Sequence, residues 1–286
     1  MYNIVCGAHT LALGARTNIM GILNVTPDSF SDGGKFFTLD AAIAHGQKLA
    51  ENGADIIDIG GESTRPFSDT VSVEEETRRV VPVIEKLAKQ LSIPISIDTT
   101  KAGVARRAVE AGASIINDIS ALSTDNEIAG VAVKYCVPVI LMHMKGTPKT
   151  MQVSPVYDDI IKEIKEFFEN RIDLAEKNGI SRSQIIIDPG LGFGKTFEHN
   201  FLLIKRLHEF KTLGAPILAG PSRKAFIRNT LKGLSGDDIK PDMPVTETGT
   251  QAAVAAAVLH GADIVRVHDV AGTRTTLKII DAIKNA

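Results

Sequence analysis

The stretch IPISIDTTKAGVARRAVEAGASIINDI, residues 93–119, decides how this chain folds. It opens on an apolar, β-branched run over 93–99 that turns polar at its end. A segment with helical spacing follows over 101–111. Gly112 stands at the helix exit, where a left-handed residue ends a helix without a Cβ penalty. A second apolar run begins at 114 and ends at 119. Two strands joined through a helix lie parallel in one sheet. Runs that are apolar on both faces, rather than alternating, belong to strands covered on both sides.

Working outward, the same unit recurs. Further strands are predicted over 18–25, 54–60, 137–143, 185–189, 216–220 and 263–268. Further helices are predicted over 38–52, 72–91, 125–135, 157–178, 198–212, 246–260 and 273–285. Thr38 and Ser72 are candidate N-caps, and Ser72 with Glu75 makes a capping-box pattern. The segments NGAD, AGAS, KNGI and HGAD each put a Gly between a helix and the next strand. Eight strand–helix pairs in order, after an N-terminal hairpin over 2–13, imply a single α/β domain over 1–286. Its expected fold is one closed parallel barrel, the (β/α)8 TIM barrel. An open, doubly wound sheet is the alternative that the alternation leaves standing.

The bulk numbers narrow the function. At 286 residues the chain buries roughly 75% of the surface its unfolded form exposes, so it needs no staples. Its 2 Cys lie in unrelated contexts, which suits a reducing compartment. Cys136 ends an apolar helical run and is expected in the core. A net charge of −2 with no basic block argues against nucleic acid as a partner. The first residues lack a basic leader, and no apolar run is long enough for a membrane span. A cytoplasmic location is therefore expected.

In a barrel of this kind chemistry sits at the C-terminal strand ends. Every predicted strand end carries polar residues: Asn24, Glu62 to Arg65, Asp98, Asn117 with Asp118, His143, Asp188, Ser222-Arg223-Lys224, and Arg266 with His268. Partly buried charges need partners, so a barrel without a function would not place them there. Asp98, Asn117 and Asp188 suit the N–C–N edge of a flat heterocycle such as a guanine or pterin. Lys224 can donate to a ring carbonyl or nitrogen, and Met142 and Phe193 can sandwich the ring. Arg266 and His268 alternate onto one side of the last strand. With Asn24 and Arg65 they can hold a diphosphate and one Mg²⁺, which prefers oxygen ligands and keeps waters. GLGFGKT (190–196) is no Walker A loop, because Pro189 stands where the first Gly is required. Its glycines are expected to let a loop pass close to a ligand. Two long polar loops, NVTPDSFSDGG (24–34) and GGESTRPFSD (60–69), read as lids.

Those two loops, with SIDTTK (96–101), INDIS (116–120), DPGLGFGK (188–195), SRK (222–224) and RVHDV (266–270), resemble the motifs of the dihydropteroate synthase family, nearly from end to end. The resemblance implies condensation of 6-hydroxymethyl-7,8-dihydropterin diphosphate with 4-aminobenzoate, releasing pyrophosphate. It implies Asp98, Asn117, Asp188 and Lys224 on the pterin, and Asn24 on Mg²⁺. It puts Thr64, Arg266 and His268 at the diphosphate-bearing end. Phe30, Thr64, Pro66 and Ser222 border the aminobenzoate, where sulfonamides compete. It also implies a homodimer through outer helices, which the small-residue segment TQAAVAAAVLHG (250–261) would suit. Phe67, Pro221 and Ala225 depart from the familiar pattern near the aminobenzoate side. The closest alternative is a pterin-binding methyltransferase barrel. It would share the pterin pocket but not the diphosphate apparatus of Asn24, the two lids, Ser222-Arg223-Lys224 and Arg266-His268. A non-catalytic folate-binding protein is a more distant alternative.

Overall fold

The computed structural model describes residues 1–26, 39–63, 68–151, 153–234, 236 and 238–286. An antiparallel hairpin, β1 (Tyr2–Cys6) and β2 (His9–Leu13), comes first. One parallel sheet then contains β3 (Asn18–Asn24), β4 (Ile56–Gly60), β5 (Ile95–Asp98), β6 (Ile115–Asp118), β7 (Val139–Met142), β8 (Ile185–Asp188), β9 (Leu218–Ala219) and β10 (Ile264–Val267). From β3 to β8 each strand pairs with its successor, and β10 pairs with both β3 and β9. The ring closes between β8 and β9. There Ile187 bridges Ile217, and its amide donates to the Pro216 carbonyl at 3.0 Å. The sheet is a closed barrel, and the open doubly wound alternative falls.

The outer layer is α1 (Leu39–Glu51), α2 (Val73–Gln90), α3 (Ala102–Glu110), α4 (Glu127–Tyr135), α5 (Ile160–Lys177), α6 (Phe197–Lys205), α7 (Ala225–Thr230), α8 (Pro244–Leu259) and α9 (Val270–Lys284). Gly53, Gly112, Gly179 and Gly261 all have φ between +95° and +118°, as their places at helix exits require. Ser72 caps α2 by accepting from the Glu75 amide, but the Glu75 carboxylate does not reach back. It pairs instead with Arg78 and Arg79 one turn on, at 2.8 and 2.7 Å. The helix expected over 198–212 breaks at Arg206, and a 3₁₀ turn continues over Leu207–Leu213. The i,i+3 pairing of Arg206 with Glu209 suits that tighter turn, and Phe210 is buried from it. Cys136 is not in the core. It is exposed, in the left-handed region at φ +54°, where it caps α4 as a Gly would elsewhere. Among the described residues no helix is long and apolar enough to cross a membrane.

Period two along the strands sorts the barrel interior into layers. Ile56, Ile115, Ile140, Ile186, Leu218 and Ile264 form the lower layer. They pack with Met20 against Ile4, Cys6, Leu11 and Leu13 of the hairpin, which plugs that end. Two residues further along, on the same face of each strand, stand Asp58, Asn117, Met142, Asp188, Gly220 and Arg266. A dry apolar floor thus supports a polar layer at the C-terminal mouth. A separate and larger apolar cluster joins the outer faces of the strands to the helices.

Candidate active site

The centre of the mouth is an ion cluster. Asp58, with no exposed surface, accepts from Arg266 Nε at 2.6 Å and from Asn117 Nδ2 at 3.1 Å, both on Oδ2. Arg266 Nη2 donates to Asp98 Oδ2 at 2.8 Å. One guanidinium is thus shared by two carboxylates on neighbouring strands. The bond to Asp58 also sets the polarity of Asn117, because it uses the amide's donor end and leaves Oδ1 to accept from a ligand.

Burial pushes the Asp98 carboxyl up to about 7, against the pull of Arg266 and with the charge of Asp58 adding to the rise. Asp188, at the end of β8, accepts from the Gly190 amide at 2.8 Å on Oδ1. Its Oδ2 has no protein donor among the described residues. Burial raises Asp188 to about 6, opposed by the Gly190 amide and by Lys224. Lys224 is drawn down to about 8 by burial and then by the charge of Arg266. Its Nζ lies 3.9 Å from the centroid of the Phe193 ring. Phe193 and Met142 belong to one small apolar cluster with Ile119 and Met151. The structure therefore gathers acceptors, the Lys224 ammonium and an apolar wall around a space that suits a flat polar ring.

Ser222 Oγ lies 2.9 Å from His268 Nδ1, which ties the loop after β9 to the end of β10. Asn24 closes β3 half-buried, in register with Gly60. No hydrogen bond occupies its carboxamide among the described residues, and no group of three or more His, Cys, Asp or Glu there could hold a metal. One neutral oxygen at the mouth would fit Mg²⁺, which prefers oxygen ligands and keeps several waters.

Other polar strand ends serve the fold. Asp118 turns into its own loop and accepts from Ser120 N, Ser120 Oγ and Leu122 N at 2.7–2.8 Å. These bonds hold Ala121 and Leu122 at positive φ. Arg223 turns away to Glu247 on α8. Glu62 joins Lys101 and buried Glu76 and accepts from the Val71 amide, which anchors the root of the second polar loop. Phe30, Thr64, Arg65, Pro66 and Phe67 lie outside the described residues.

Two members of the mouth were not anticipated from the sequence. Asp58 sits inside an apolar run, two residues before its end, and so does not stand among the polar strand ends. The available signal was an acidic residue in a strand covered on both faces, which must have a partner. Lys195, 2% exposed, lies in the glycine-rich segment that fails as a Walker A loop, where no local pattern marks it out.

The glycines of the GLGFG loop also serve differently from expectation. Gly190, Gly192 and Gly194 are at φ +70°, +82° and +65°. A Cβ on Gly190 would lie 2.0 Å from the His143 carbonyl oxygen, and one on Gly194 would lie 2.3 Å from that of Lys145. At those two positions the close approach is to the backbone of the loop after β7.

Comparison with known proteins agrees with this geometry. Residues 20–268 match the family described as "Pterin binding enzyme". The dihydropteroate synthase of Synechocystis is 50% identical over 270 residues, covering 94% of this chain and 91% of that one. A solved Xanthomonas albilineans dihydropteroate synthase with 4-aminobenzoic acid superposes with a TM-score of 0.90 at 45% identity, covering 99% of this chain and 98% of the other. A Yersinia pestis dihydropteroate synthase in a sulfonamide complex superposes with a TM-score of 0.91 at 42% identity, covering 99% of each.

Proposed function

This chain belongs to the pterin-binding enzymes, among their dihydropteroate synthases, and from that premise we propose how its barrel mouth carries the reaction. The enzyme condenses 6-hydroxymethyl-7,8-dihydropterin diphosphate with 4-aminobenzoate. A bond from the pterin CH₂ to the arylamine nitrogen forms, the bond from CH₂ to the diphosphate oxygen breaks, and a proton leaves the amine. The products are 7,8-dihydropteroate and pyrophosphate, in folate biosynthesis.

The observation that carries the assignment of roles is the convergence of Asp98, Asn117, Asp188, Lys224 and Arg266 at one mouth of the barrel. In our reading Asp188, Asp98 and the Asn117 oxygen accept from the pterin's ring and amino N–H groups. Lys224 donates to the ring, and Met142 and Phe193 pack on it. The described residues of the site show no Ser–His–Asp set or lone reactive Cys to serve as a nucleophile. The protein positions the ring, and the carboxylates stabilise positive charge that develops on it as the diphosphate departs. This makes the displacement dissociative. Arg266 keeps Nη1 beyond its two carboxylate bonds, and with His268 it faces the diphosphate end. Mg²⁺ bound at Asn24 would neutralise charge on the leaving group. Ser222, with Thr64, Pro66 and Phe30, borders the aminobenzoate, and sulfonamides compete there. A cytoplasmic homodimer belongs to the same reading. Exposed Leu259 on α8, and Ile279 and Ile283 on α9, leave apolar surface on the outer helices for it.

The test is pyrophosphate release by the purified protein with Mg²⁺ and both substrates, beside Asp188→Asn. Release should depend on 4-aminobenzoate. It should fall at least ten- to a hundred-fold in kcat/KM in the variant, the expected range for losing charge-assisted hydrogen bonds. A protein that binds pterin but releases nothing would point to the methyltransferase or binding-protein alternatives.

The raised carboxyls also predict a pH dependence of stability. Asp titrates near 3.9 in an unfolded chain, so folded Asp98 holds its proton more tightly. Its contribution is fully present below about pH 4 and is lost as pH rises through about 7. Wild-type protein should therefore lose Tm relative to Asp98→Asn between those limits. Parallel Tm curves would refute the assignment.

A further inference from the structure

Lys195 is buried at the back of the mouth. No carboxylate lies within ion-pair distance of it among the described residues, yet its Nζ makes three hydrogen bonds. It lies 2.9 Å from the Phe193 carbonyl, 3.2 Å from the His143 carbonyl and 2.9 Å from His143 Nδ1. Three partners match the three bonds a lysine nitrogen can form. The Phe193 carbonyl belongs to the glycine-rich loop after β8. His143 begins the loop after β7 and is itself fixed, edge-on to Phe167 at 4.8 Å. The two loops also meet through glycine backbone at Gly190 and Gly194, through Met151 in the cluster that holds Phe193, and through the Tyr157 hydroxyl, which donates to the Gly194 carbonyl at 2.8 Å. Glycine backbone in the left-handed region has little intrinsic stiffness. Something must hold Phe193, because its ring carries the Lys224 ammonium on one face and packs with Met142.

We infer that Lys195 is a positioning residue that clasps the β7 and β8 loops together and so fixes the Phe193 wall against the pterin ring. It touches neither substrate nor the reacting atoms. The residue is placed where a buried cation is costly, and burial lowers its pKa well below the usual lysine value while the charge of Asp188 opposes that. Keeping it there without a direct counterion is hard to account for unless the clasp matters.

The inference rests on the pterin reading above, and the experiment separates the two. Wild type and Lys195→Met, which keeps length and removes all three bonds, are compared by steady-state kinetics with each substrate varied, and by thermal melting. The KM for dihydropterin diphosphate should rise roughly ten- to a hundred-fold, as for lost hydrogen bonds to a charged group. The kcat and the KM for 4-aminobenzoate should stay within about threefold. An unchanged pterin KM, or losses spread equally over kcat and both KM values, would overturn the inference. If Lys195→Met does not fold, His143→Phe keeps a ring against Phe167 and removes the Nδ1 bond, and its pterin KM should rise alone by about threefold to tenfold. A wild-type KM there would overturn it equally. Absence of any pterin turnover in the wild type would instead sink the reading on which the inference stands.

Discussion

Asp58→Ala is expected to destabilise the protein by about 3–5 kcal/mol, with loss of most pterin binding in whatever still folds. The reason is what the substitution leaves behind. Arg266 would keep one carboxylate, Asp98, and lose its 2.6 Å bond to Asp58. Asn117 would lose the acceptor that holds its amide. Breaking a buried pair by removing one partner costs far more than the net value of the pair, because an uncompensated charge remains. Asp58 also has one oxygen, Oδ1, buried with no partner among the described residues. The site therefore tolerates an unsatisfied acceptor, which fits a residue kept for the charge it carries. Asp58→Asn separates charge from shape. Its amide oxygen can still accept from Arg266 and Asn117, so folding should largely survive. The charge of Asp58 helps to raise Asp98, so removing it should let the Asp98 carboxyl fall from about 7. The acid limb of pterin binding, measured by titration calorimetry across pH, should then move to lower pH. An acid limb that stays in place, with a Tm for Asp58→Ala within a degree or two of wild type, would remove Asp58 from the site.

Gly190→Ala is expected to cost more than about 4 kcal/mol, a shift of about 7 °C or more in Tm for a chain of this size. Two effects add. A non-glycine residue in the left-handed region costs roughly 1–2 kcal/mol, and Gly190 is at φ +70°. The new methyl would also lie 2.0 Å from the His143 carbonyl oxygen. A backbone atom cannot rotate away, so one of the two loops must move. Asp188 would lose its Gly190 amide donor, and the Phe193 wall would shift with the loop. Gly130→Ala is the control. Gly130 lies exposed on α4 with nothing within 4 Å of the added Cβ. Removing a helical glycine there should stabilise by roughly 0.5–1 kcal/mol. Equal melting temperatures for the two variants would contradict the close approach at Gly190.

Much of this is legible in the order of the residues. The barrel followed from one repeated unit, because apolar runs covered on both faces and helices ending at Gly53, Gly112, Gly179 and Gly261 admit few arrangements. Asp98, Asn117, Asp188, Arg266 and His268 were legible because they interrupt apolar runs at strand ends. What was not legible has a common character. Cys136 looked like core because the helix before it is apolar, but its left-handed cap turns it to solvent. Arg223 and Asp118 stood at strand ends like their neighbours, but a partner on another helix, Glu247, diverts Arg223, and the turn of its own loop, through Ser120 and Leu122, diverts Asp118.

The sequence by itself determined the period-two layering that stacks a polar rung on an apolar floor, since alternation is a local property of a strand. Which rung members meet was decided only by closure of the ring. It brings Arg266, from the last strand, onto Asp58 and Asp98, 208 and 168 residues earlier in the chain. It also sets Lys195 against His143. Electrostatic pairing depends on distance in space, and no local pattern encodes a distance between segments that the chain visits at its opposite ends.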